Sequence, residues 1–415
     1  MVQEIDYLYS LSRFGIKLGL DVMKEFSNRI GNPHLSYKTF HVTGTNGKGS
    51  TSAMLYSILK QKYSVGLYTS PHIKRFNERI IVNDKEIDDE FIKRWVGEKR
   101  DIIEEMGAKG KQPTFFEVTT AMAFDYFKRC NVETAVIEVG MGGRLDSTNI
   151  IIPEVSAIVT VSLEHTDKLG NTHEKIAFEK GGIIKKGVPV VVGVEHQGAL
   201  NVIKSIAESN NSPLYNVNEI FEVKSLSISL DGTYFHAQDE NYDYRINIPL
   251  IGRHQIKNAL IAIKMAQIFD SSLDYKYISN VKFPGRFEIR SRNPLVILDA
   301  AHNPEAAKNL KETIQELFLR KPVIVMTQLK DKNYSEFLRE ISEVADHLIV
   351  TEVKDERKND AEILAEEAKK YTKNVEYYKD SEKAFERAFE TSNFILITGS
   401  LYLLGEFEQW QEKKL

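Results

Sequence analysis

The chain has 415 residues, with 55 Lys and Arg against 59 Asp and Glu, a formal net charge of −4, and 42% hydrophobic residues. At roughly 150 residues per domain, this length predicts two or three domains and a sizeable buried core. Because there is no basic excess to neutralise a polymer of phosphates, the charge balance disfavours a protein that coats nucleic acid. We expect small-molecule substrates and no nucleic-acid partner.

Cysteine content and hydropathy exclude further classes. Cys130 is the single cysteine, so the chain cannot form an internal disulfide or a CxxC zinc pair. The N-terminal segment contains Glu4 and Asp6 and lacks a continuous apolar stretch, which argues against a signal peptide. No apolar run approaches the roughly 18 residues needed to cross a bilayer. We expect a cytoplasmic monomer without a membrane partner.

Short apolar, β-branched runs alternate with helical stretches in the first half of the chain. The runs are residues 40–43, 134–139, 155–163 and 188–194. Alternation of this kind predicts a parallel sheet covered by helices. Ligands bind at the carboxyl ends of strands in open α/β sheets, so the chemistry is expected where these runs end.

The second half repeats the pattern on a smaller scale, with apolar runs at residues 295–298, 323–326, 348–353 and 394–398. Between the halves, residues 214–250 alternate between apolar and polar side chains, which predicts an antiparallel hairpin set. The stretch FPGRFEIRSRNP is the best linker candidate. We therefore predict an α/β protein of two domains, residues 1–290 and 291–415, with the boundary near Ser291.

The strongest local signal is the segment FHVTGTNGKGSTSAMLYSILK, which predicts a strand, a Gly-rich turn around Lys48 and a helix. Glycines let backbone N–H groups converge on phosphate oxygens, while the helix N-terminus and Lys48 supply positive charge. The common spacing GxxxxGK[ST] is not met, because Val42 stands where the first Gly belongs and Gly49 follows the Lys. A Gly-rich turn with a solvated lysine is the structural alternative. It leaves three Gly and one Lys within seven residues unexplained, so we expect a variant phosphate loop.

Three further residues are candidates for the same site, and each has a structural alternative. Glu138 ends an apolar strand before a Gly turn, where a P-loop enzyme keeps a carboxylate near magnesium, but pairing with Arg144 explains it equally well. His165 follows another apolar strand, where a lone His is usually a hydrogen-bonded structural residue. Lys180 ends a helix predicted to begin near Thr172, and taken alone it is typical of a solvated helix-terminal lysine.

Taken together, these segments resemble the folylpolyglutamate synthase and dihydrofolate synthase family, within the Mur ligase group of ATP-dependent amide-forming ligases. The match runs in order along most of the chain, through TGTNGKGS (43–50), TSPHIKRFNERI (69–80), FFEVTTAMAF (115–124), EVGMGGRLDSTN (138–149), LEHTDKLG (163–170), EKGGIIK (179–185), GRHQIKNA (252–259), PGRFE (284–288), DAAHNP (299–304) and TGSLYLLGE (398–406). The resemblance implies an N-terminal domain like a P-loop NTPase, with a mostly parallel sheet, and a smaller Rossmann-like C-terminal domain. It also implies that ATP is held between them.

The resemblance also implies a set of nucleotide and metal contacts. The residues that would contact ATP are Asn46, Gly47, Lys48, Gly49, Ser50, Asn258, Arg286 and Asp299, with Asn258 at the adenine. Two magnesium ions would be held by Ser70, Glu138 and His165. Lys180 stands at the family's modified lysine, which is carbamylated on its amine. A carbamate is an oxygen-rich anion suited to magnesium, whereas a lysine cation would be repelled.

On the substrate side, the resemblance implies that a pterin-bearing molecule is contacted by Thr114, Phe115, Phe116, Glu117, Leu145, Asp146 and Ser147. The segment FGIKLGL (14–20) matches a third contact stretch loosely. His302 would belong to the side of the incoming glutamate, and it completes the candidate catalytic set with Lys48 and Lys180. Two departures from the family pattern stand out: Glu164 replaces a usual Asp, and Gly181 replaces a usual Ala.

The implied reaction joins L-glutamate to a folate or dihydropteroate carboxylate. A carboxylate is a poor electrophile, so ATP first phosphorylates it, with Lys48 and magnesium stabilising the transferring group. The amino group of L-glutamate then attacks the acyl phosphate, and domain closure excludes water. Both synthase activities share this chemistry, so the sequence leaves open which one the chain performs.

Two other functions remain open on the motifs. A different Mur-type ligase would keep the ATP motifs, and only the FFE, GGRLDST and TSPH segments argue against it. A P-loop nucleotide switch is a more distant alternative, since that class needs a base-reading element such as NKxD, which is not found.

Overall fold

A computed structural model gives the fold and describes residues 3–15 and 18–414. The chain divides into two compact units. The first comprises the described residues up to Pro71 together with Phe76–Glu222 and Lys257–Ile278. The second comprises His72–Arg75, Val223–Ile256 and the described residues from Ser279 onward. The boundary predicted near Ser291 lies within the second unit, and it stays a prediction about how function divides along the chain.

The described part of the first unit is built on one eight-stranded sheet. Its strands are β1 Lys38–Thr43, β2 Val65–Tyr68, β3 Ile80–Val82, β4 Lys85–Glu86, β5 Thr134–Glu138, β6 Val155–Ile158, β7 Val190–Val192 and β8 Leu214–Asn216. Their order is β4-β3-β2-β5-β1-β6-β7-β8. The neighbours from β2 to β8 pair in parallel, and β3 and β4 add an antiparallel edge. The carboxyl ends of the parallel strands therefore share one edge.

Helices accompany the strands of the first unit and bury its apolar side chains. They are α1 Gln3–Ser10, α2 Asp21–Arg29, α3 Lys48–Leu59, α4 Asp89–Ala108, α5 Phe115–Arg129, α6 Thr166–Leu169, α7 His173–Gly181, α8 Gln197–Ser209, α9 Val217–Ile220 and α10 His254–Phe269. Short 3-10 helices cover Leu11–Phe14, Pro33–Leu35, Phe76–Arg79, Ser147–Ile150 and Tyr275–Asn280. Phe26, Trp95 and Phe124 are fully buried in one cluster, and Val139, Ile176 and Ile203 in another. Burial of this apolar area stabilises the unit.

The second unit contains two further sheets. Strands β9 Glu222–Ser229, β10 Gly232–Gln238 and β11 Asp243–Ile248 form a small sheet in which β10 and β11 are antiparallel. A six-stranded sheet, in the order β12-β13-β17-β14-β15-β16, contains β12 Glu288–Arg292, β13 Leu295–Leu298, β14 Val323–Met326, β15 His347–Thr351, β16 Val375–Tyr378 and β17 Phe394–Thr398. It is parallel except for β12. Its helices are α11 Pro304–Leu317, α12 Tyr334–Ser342, α13 Ala361–Ala368, α14 Ser381–Thr391 and α15 Leu401–Lys414.

The predicted fold class, an α/β protein with large and mostly parallel sheets in two domains, is confirmed. The antiparallel set predicted for residues 214–250 was wrong at its start, because β8 pairs in parallel with β7, Val190 opposite Leu214. The run predicted over 155–163 ends as a strand at Ile158, since the chain then turns to bind the phosphate loop. Across residues 3–15 and 18–414, no helix combines the length and apolar character that a membrane span requires.

Candidate active site

The phosphate loop leaves β1 at Thr43 and enters α3 at Lys48. Gly47 caps α3 in a left-handed conformation, with φ of 82°. A β-carbon built at Gly47 would overlap Oδ1 of Asn258 and lie 2.7 Å from Cγ1 of Val159. Glycine is therefore required here by both the backbone and the packing. Gly49 and Ser50 are buried in the first turn of α3, whose backbone N–H groups can bind an anion.

The loop is fastened to the end of β6 by two threonines. The hydroxyl of Thr160 accepts from the N–H of Asn46 at 2.8 Å and lies 3.0 Å from its carbonyl oxygen, to which it donates. The hydroxyl of Thr45 likewise accepts from Ser162 N–H at 3.0 Å and donates to Ser162 O at 3.2 Å. Thr160 was not among the predicted site residues. Its signal in the sequence is a hydroxyl directly after a buried apolar strand.

Lys48 lies within its own loop. Its Nζ donates to the carbonyl oxygens of Gly44 at 3.0 Å and Thr45 at 3.3 Å. The ammonium is thus held beside the turn whose N–H groups would cradle phosphates, which is where a phosphate-binding lysine acts as a point charge. Asn258, on α10, is buried against the same turn. Its contact with adenine stays a prediction.

Ser70 and Glu138 meet because β2 and β5 are parallel neighbours. Glu138 is the last residue of β5, and Ser70 follows the end of β2. The N–H of Ser70 donates to Oε2 of Glu138 at 3.0 Å, and Glu138 is 5% exposed. Val42 of β1 is paired with Glu138, so this carboxylate lies next to the strand that enters the phosphate loop. Two of the three predicted metal ligands are therefore brought together.

Residues 139–149, which we call the junction loop, follow Glu138 and contact several predicted site segments. The hydroxyl of Thr43 donates to Gly142 O at 2.5 Å. A β-carbon at Gly143 would lie 2.9 Å from the carbonyl oxygens of both Glu179 and Lys180. The junction loop therefore packs directly on the backbone at Lys180, close to the base of the phosphate loop.

Lys180 is buried near the end of α7, with 3% of its surface exposed. The solvated lysine that was the structural alternative is therefore excluded. The departure at Gly181 also has an explanation: a β-carbon there would lie 2.5 Å from Cδ1 of Ile206, which occupies the space. His165 precedes α6 in a left-handed conformation, with φ of 50°.

Residues 3–15 and 18–414 contain no group of three or more His, Cys, Asp or Glu side chains arranged to hold a metal ion. Magnesium does not need such a group, because it keeps several waters and is bound by one or two carboxylates together with substrate phosphates. The Glu138 carboxylate and the Ser70 hydroxyl, beside an anion-binding loop, are a donor set of that kind. The residues present therefore fit magnesium that arrives with a nucleotide.

The predicted substrate segments also meet at the junction loop. Thr114 and Glu117 form a reciprocal capping box at the start of α5. A β-carbon at Gly140 would overlap the Phe116 ring and lie 3.1 Å from Oδ2 of Asp146. The N-terminal stretch reaches the same place, since the N–H of Gly19 lies 3.4 Å from Leu145 O. Ile16 and Lys17 of that stretch lie outside the described residues.

The Asp146 carboxylate is buried and is bound by its own loop. Oδ1 accepts from the N–H and the hydroxyl of Thr148, at 3.0 and 2.6 Å, and Oδ2 accepts from Met141 N–H at 2.8 Å. Burial raises the pKa of Asp146, and these hydrogen bonds oppose the rise. Ser147, next in sequence, is also buried. Asp146 therefore shapes the loop that carries the predicted substrate contacts.

Phe115 lies in an aromatic environment that was not predicted. Its ring stacks on Tyr9 with centroids 5.6 Å apart, and Phe76 meets its edge at 6.3 Å. The guanidinium of Arg79 lies 5.5 Å from the Phe115 ring centroid. Such clusters present flat apolar surface with a cation at one side. The sequence signal was weak, because these residues come from three distant segments.

In the second unit, Asp299 joins the PGRFE and DAAHNP motifs. Its carboxylate accepts from the N–H of Phe287 and of Ala301, both at 2.8 Å. Burial raises the pKa of Asp299, while the positive charge of Arg286 opposes the rise. His302 donates from Nδ1 to Ala300 O at 2.9 Å, so neutral His302 presents Nε2 as an acceptor. The second-unit residues predicted from the sequence are thus grouped around one carboxylate.

Comparison with known proteins identifies the family. The model of the Mur ligase middle domain matches residues 42–266, and that of the Mur ligase glutamate ligase domain matches residues 285–401. The chain is 35% identical to the dihydrofolate synthase/folylpolyglutamate synthase of Bacillus subtilis, over 97% of both chains. The chain belongs to the folylpolyglutamate and dihydrofolate synthase family of Mur ligases.

Solved structures agree with this membership of the Mur ligases. The folylpolyglutamate synthase of Thermotoga maritima matches with a TM-score of 0.87 and 38% identity, covering 99% of this chain and 97% of that one. The Mycobacterium tuberculosis folylpolyglutamate synthase complexed with ADP and AMPPCP matches with a TM-score of 0.91 and 30% identity, covering 98% of both chains. The family resemblance predicted from the motifs is therefore confirmed.

Proposed function

We propose that this Mur ligase joins L-glutamate to the carboxylate of a folate, a dihydropteroate, or both, with cleavage of ATP to ADP and phosphate through an acyl phosphate. The observation that carries the proposal is the junction loop. It follows Glu138, accepts a hydrogen bond from Thr43 at the base of the phosphate loop, and packs against Phe116 and the Lys180 backbone. The nucleotide side and the substrate side of the predicted site are thus adjacent around one turn of the chain.

In this proposal each part of the site has a role. The N–H groups at the start of α3 bind the phosphates, with Asn46 to Ser50 as their contacts, and Lys48 adds a charge near the transferring phosphoryl group. The substrate carboxylate attacks that phosphorus, the bond to ADP breaks, and an acyl phosphate forms. The L-glutamate amine then displaces phosphate from the acyl carbon, which gives the amide.

Magnesium would be held by Ser70, Glu138 and His165, where it would neutralise phosphate charge. We further propose that Lys180 is carbamylated, since it is buried and stands at the position of the family's modified lysine. A carbamate bears oxygen atoms and a negative charge, which suit a site for a hard divalent cation.

We assign the nucleotide and pterin side to residues 1–290 and the glutamate side to residues 291–415. Arg286, near the end of the first part, and Asp299, in the second part, would also contact the nucleotide. His302 is the candidate that accepts a proton from the glutamate ammonium, because its Nε2 can act as an acceptor. We expect the enzyme to act as a cytoplasmic monomer.

The test is ADP release by the purified chain with MgATP and L-glutamate, with dihydropteroate and tetrahydrofolate offered separately. Product mass should increase by one glutamyl residue for each amide formed. D-glutamate in place of L-glutamate, and Lys48→Ala in place of the native chain, are the controls. Turnover of one substrate names the activity and turnover of both makes the enzyme bifunctional. Absence of any glutamylated product with both substrates would refute the proposal.

A further inference from the structure

His41 lies in the middle of β1, the strand that ends in the phosphate loop, and it is fully buried. Its Nε2 lies 2.8 Å from the hydroxyl oxygen of Thr148. Thr148 is itself fully buried at the end of the junction loop. The two residues are separated by 107 positions in sequence, so this contact joins the phosphate-loop strand to the loop that carries Asp146.

The Thr148 hydroxyl determines the direction of hydrogen-bond donation between His41, Thr148 and Asp146. Thr148 has one hydroxyl proton, and the Asp146 oxygen 2.6 Å away is the strongest acceptor that it meets. The Thr148 oxygen must then accept from His41. Nε2 of His41 therefore carries the ring proton, and the order of donation is His41 to Thr148 to Asp146.

The other ring nitrogen supports this direction. Nδ1 of His41 is buried without a hydrogen-bond partner among the residues the structure describes. If the direction of donation were reversed, Nδ1 of His41 would carry the ring proton. A buried N–H group would then have no acceptor. Buried N–H groups without an acceptor are rarer than buried acceptors without a donor, because burying an unpaired N–H group costs much free energy.

The surroundings keep the ring neutral. Burial, together with the nearby charge of Lys185, lowers the pKa of His41 to about 3. Burial raises the pKa of Asp146, and N–H groups of Met141 and Thr148 oppose that rise by donating to its two carboxylate oxygens. Because both oxygens accept from N–H groups, the carboxyl group is the acceptor at one end of this series of hydrogen bonds, and the neutral ring of His41 is the donor at the other end.

We propose that His41 is a positioning residue for the pterin or folate substrate: it orients Thr148 and Asp146, and with them the junction loop, relative to the phosphate loop. The inference rests on the proposed function for the identity of the substrate. His41 does not touch the reacting atoms. It fixes the distance between the strand that leads to the nucleotide and the loop that faces the acceptor substrate.

The test compares His41→Leu, which removes the donor, with His41→Gln, whose amide can still donate to Thr148. His34→Leu is the matched control, because His34 is also buried in the first unit and its Nδ1 lies 2.9 Å from the hydroxyl of Ser27. We expect His41→Leu to raise KM for the folate or dihydropteroate about 10-fold, as for loss of one buried hydrogen bond. KM for ATP should stay within about twofold of the native value, and His41→Gln should largely restore the substrate KM.

The opposite results overturn the proposal. They are an unchanged substrate KM in His41→Leu, an equal rise in KM for ATP, or the same change in His34→Leu. If native enzyme glutamylates neither substrate, the proposed function fails instead. The tautomer of His41 can then be determined directly. Nitrogen-15 NMR of histidine-labelled native protein, with the His41 signals identified by their loss in His41→Gln, should show a proton on Nε2. A proton on Nδ1 would overturn the inferred direction even if His41→Leu fails to fold.

Discussion

Glu133 and Glu138 mark the two ends of β5, and each accepts a hydrogen bond from the backbone N–H of a serine. Ser64 donates to Glu133 at 2.8 Å, before the strand begins, and Ser70 donates to Glu138 at 3.0 Å, where it ends. The local bonding is alike, but only Glu138 lies at the edge that carries the phosphate loop. The pair therefore allows a purely structural role of a strand-end glutamate to be distinguished by experiment from the proposed metal-binding role of Glu138.

We predict that Glu138→Gln lowers kcat/KM about 100- to 1,000-fold, as for loss of one electrostatic contact in a catalytic site. The amide can still accept from Ser70, so the thermal midpoint should change little. Half-saturation by magnesium should move to higher concentration. Glu133→Gln keeps the same bond at the other end of β5 and should leave both values unchanged. Steady-state ADP release across a magnesium titration measures the difference, and native magnesium dependence in Glu138→Gln would contradict a metal role.

Lys48→Ala tests the phosphate loop. Removing the ammonium should weaken binding of a non-hydrolysable ATP analogue about 10- to 100-fold, since a hydrogen bond to a charged group contributes about 1.5–3 kcal/mol. Lys60→Ala is the control, because Lys60 caps the other end of α3 and pairs with Asp84 at 2.6 Å. Isothermal titration calorimetry measures the affinity of both variants and of the native protein for the ATP analogue. Equal affinities would remove Lys48 from the nucleotide site.

Gly47→Ala combines two penalties that a second glycine allows to be separated. Gly47 and Gly187 both have positive φ, of 82° and 73°, but a β-carbon at Gly187 meets nothing within 4 Å. Each alanine adds backbone strain of about 1–3 kcal/mol. Only Gly47→Ala also forces Asn258 and Val159 to move, at a further cost of about 1–3 kcal/mol. We expect a larger fall in thermal midpoint and loss of nucleotide affinity for Gly47→Ala, measured by differential scanning fluorimetry with and without ATP analogue. Equal behaviour of the two variants would contradict the packing argument.

The sequence was sufficient for much of the fold, because parallel strands with both faces covered appear as short apolar runs. Thr134–Glu138 and Val323–Met326 were found almost to the residue. Leu214–Asn216 was misassigned, since a strand of three residues, two half-exposed and one buried, carries too little periodicity to separate a parallel edge from a hairpin. Pairing partners are a tertiary property, and local pattern cannot supply them.

Candidate site residues that belong to a known motif could be predicted from the sequence. Residues that only hold other site residues in place could not. Lys48 begins the helix after β1 and Glu138 ends β5, both at positions that a known motif explains. Thr160 and His41 look like ordinary strand residues, although the structure bonds them to Asn46 and Thr148. Their roles depend on contacts more than 100 positions away in sequence, which no local pattern encodes.

Lys180→Ala tests the proposed carbamylation of Lys180. We expect turnover to fall by at least about 100-fold, with partial recovery on adding bicarbonate or short carboxylic acids, which can supply the missing anion. Lys175→Ala is the control, since Lys175 lies on the same helix and is exposed. A readout without turnover is available as well. Native protein supplied with carbon-13 bicarbonate should show a bound carbamate resonance that Lys180→Ala lacks, and its absence from native protein would contradict the modification.

Two buried histidines should make the fold sensitive to acid. Burial lowers the pKa of His34 to about 4 and that of His41 to about 3, whereas both titrate near 6.5 when unfolded. Between about pH 6.5 and 4, the unfolded chain therefore binds protons that the folded chain does not, and stability falls as the pH falls.

We predict that His34→Gln, which removes one of these groups, flattens the pH dependence of the thermal midpoint between about pH 6.5 and 4.5. Carboxylates contribute equally to both proteins and cancel in the comparison. One proton sets a ceiling of about 1.4 kcal/mol per pH unit, and the partly solvated ring of His34 should fall below it. The measurement is the midpoint of native protein and variant at half-unit pH intervals. If His34 titrates normally in the fold, the two curves will stay parallel, and its burial will have no electrostatic consequence.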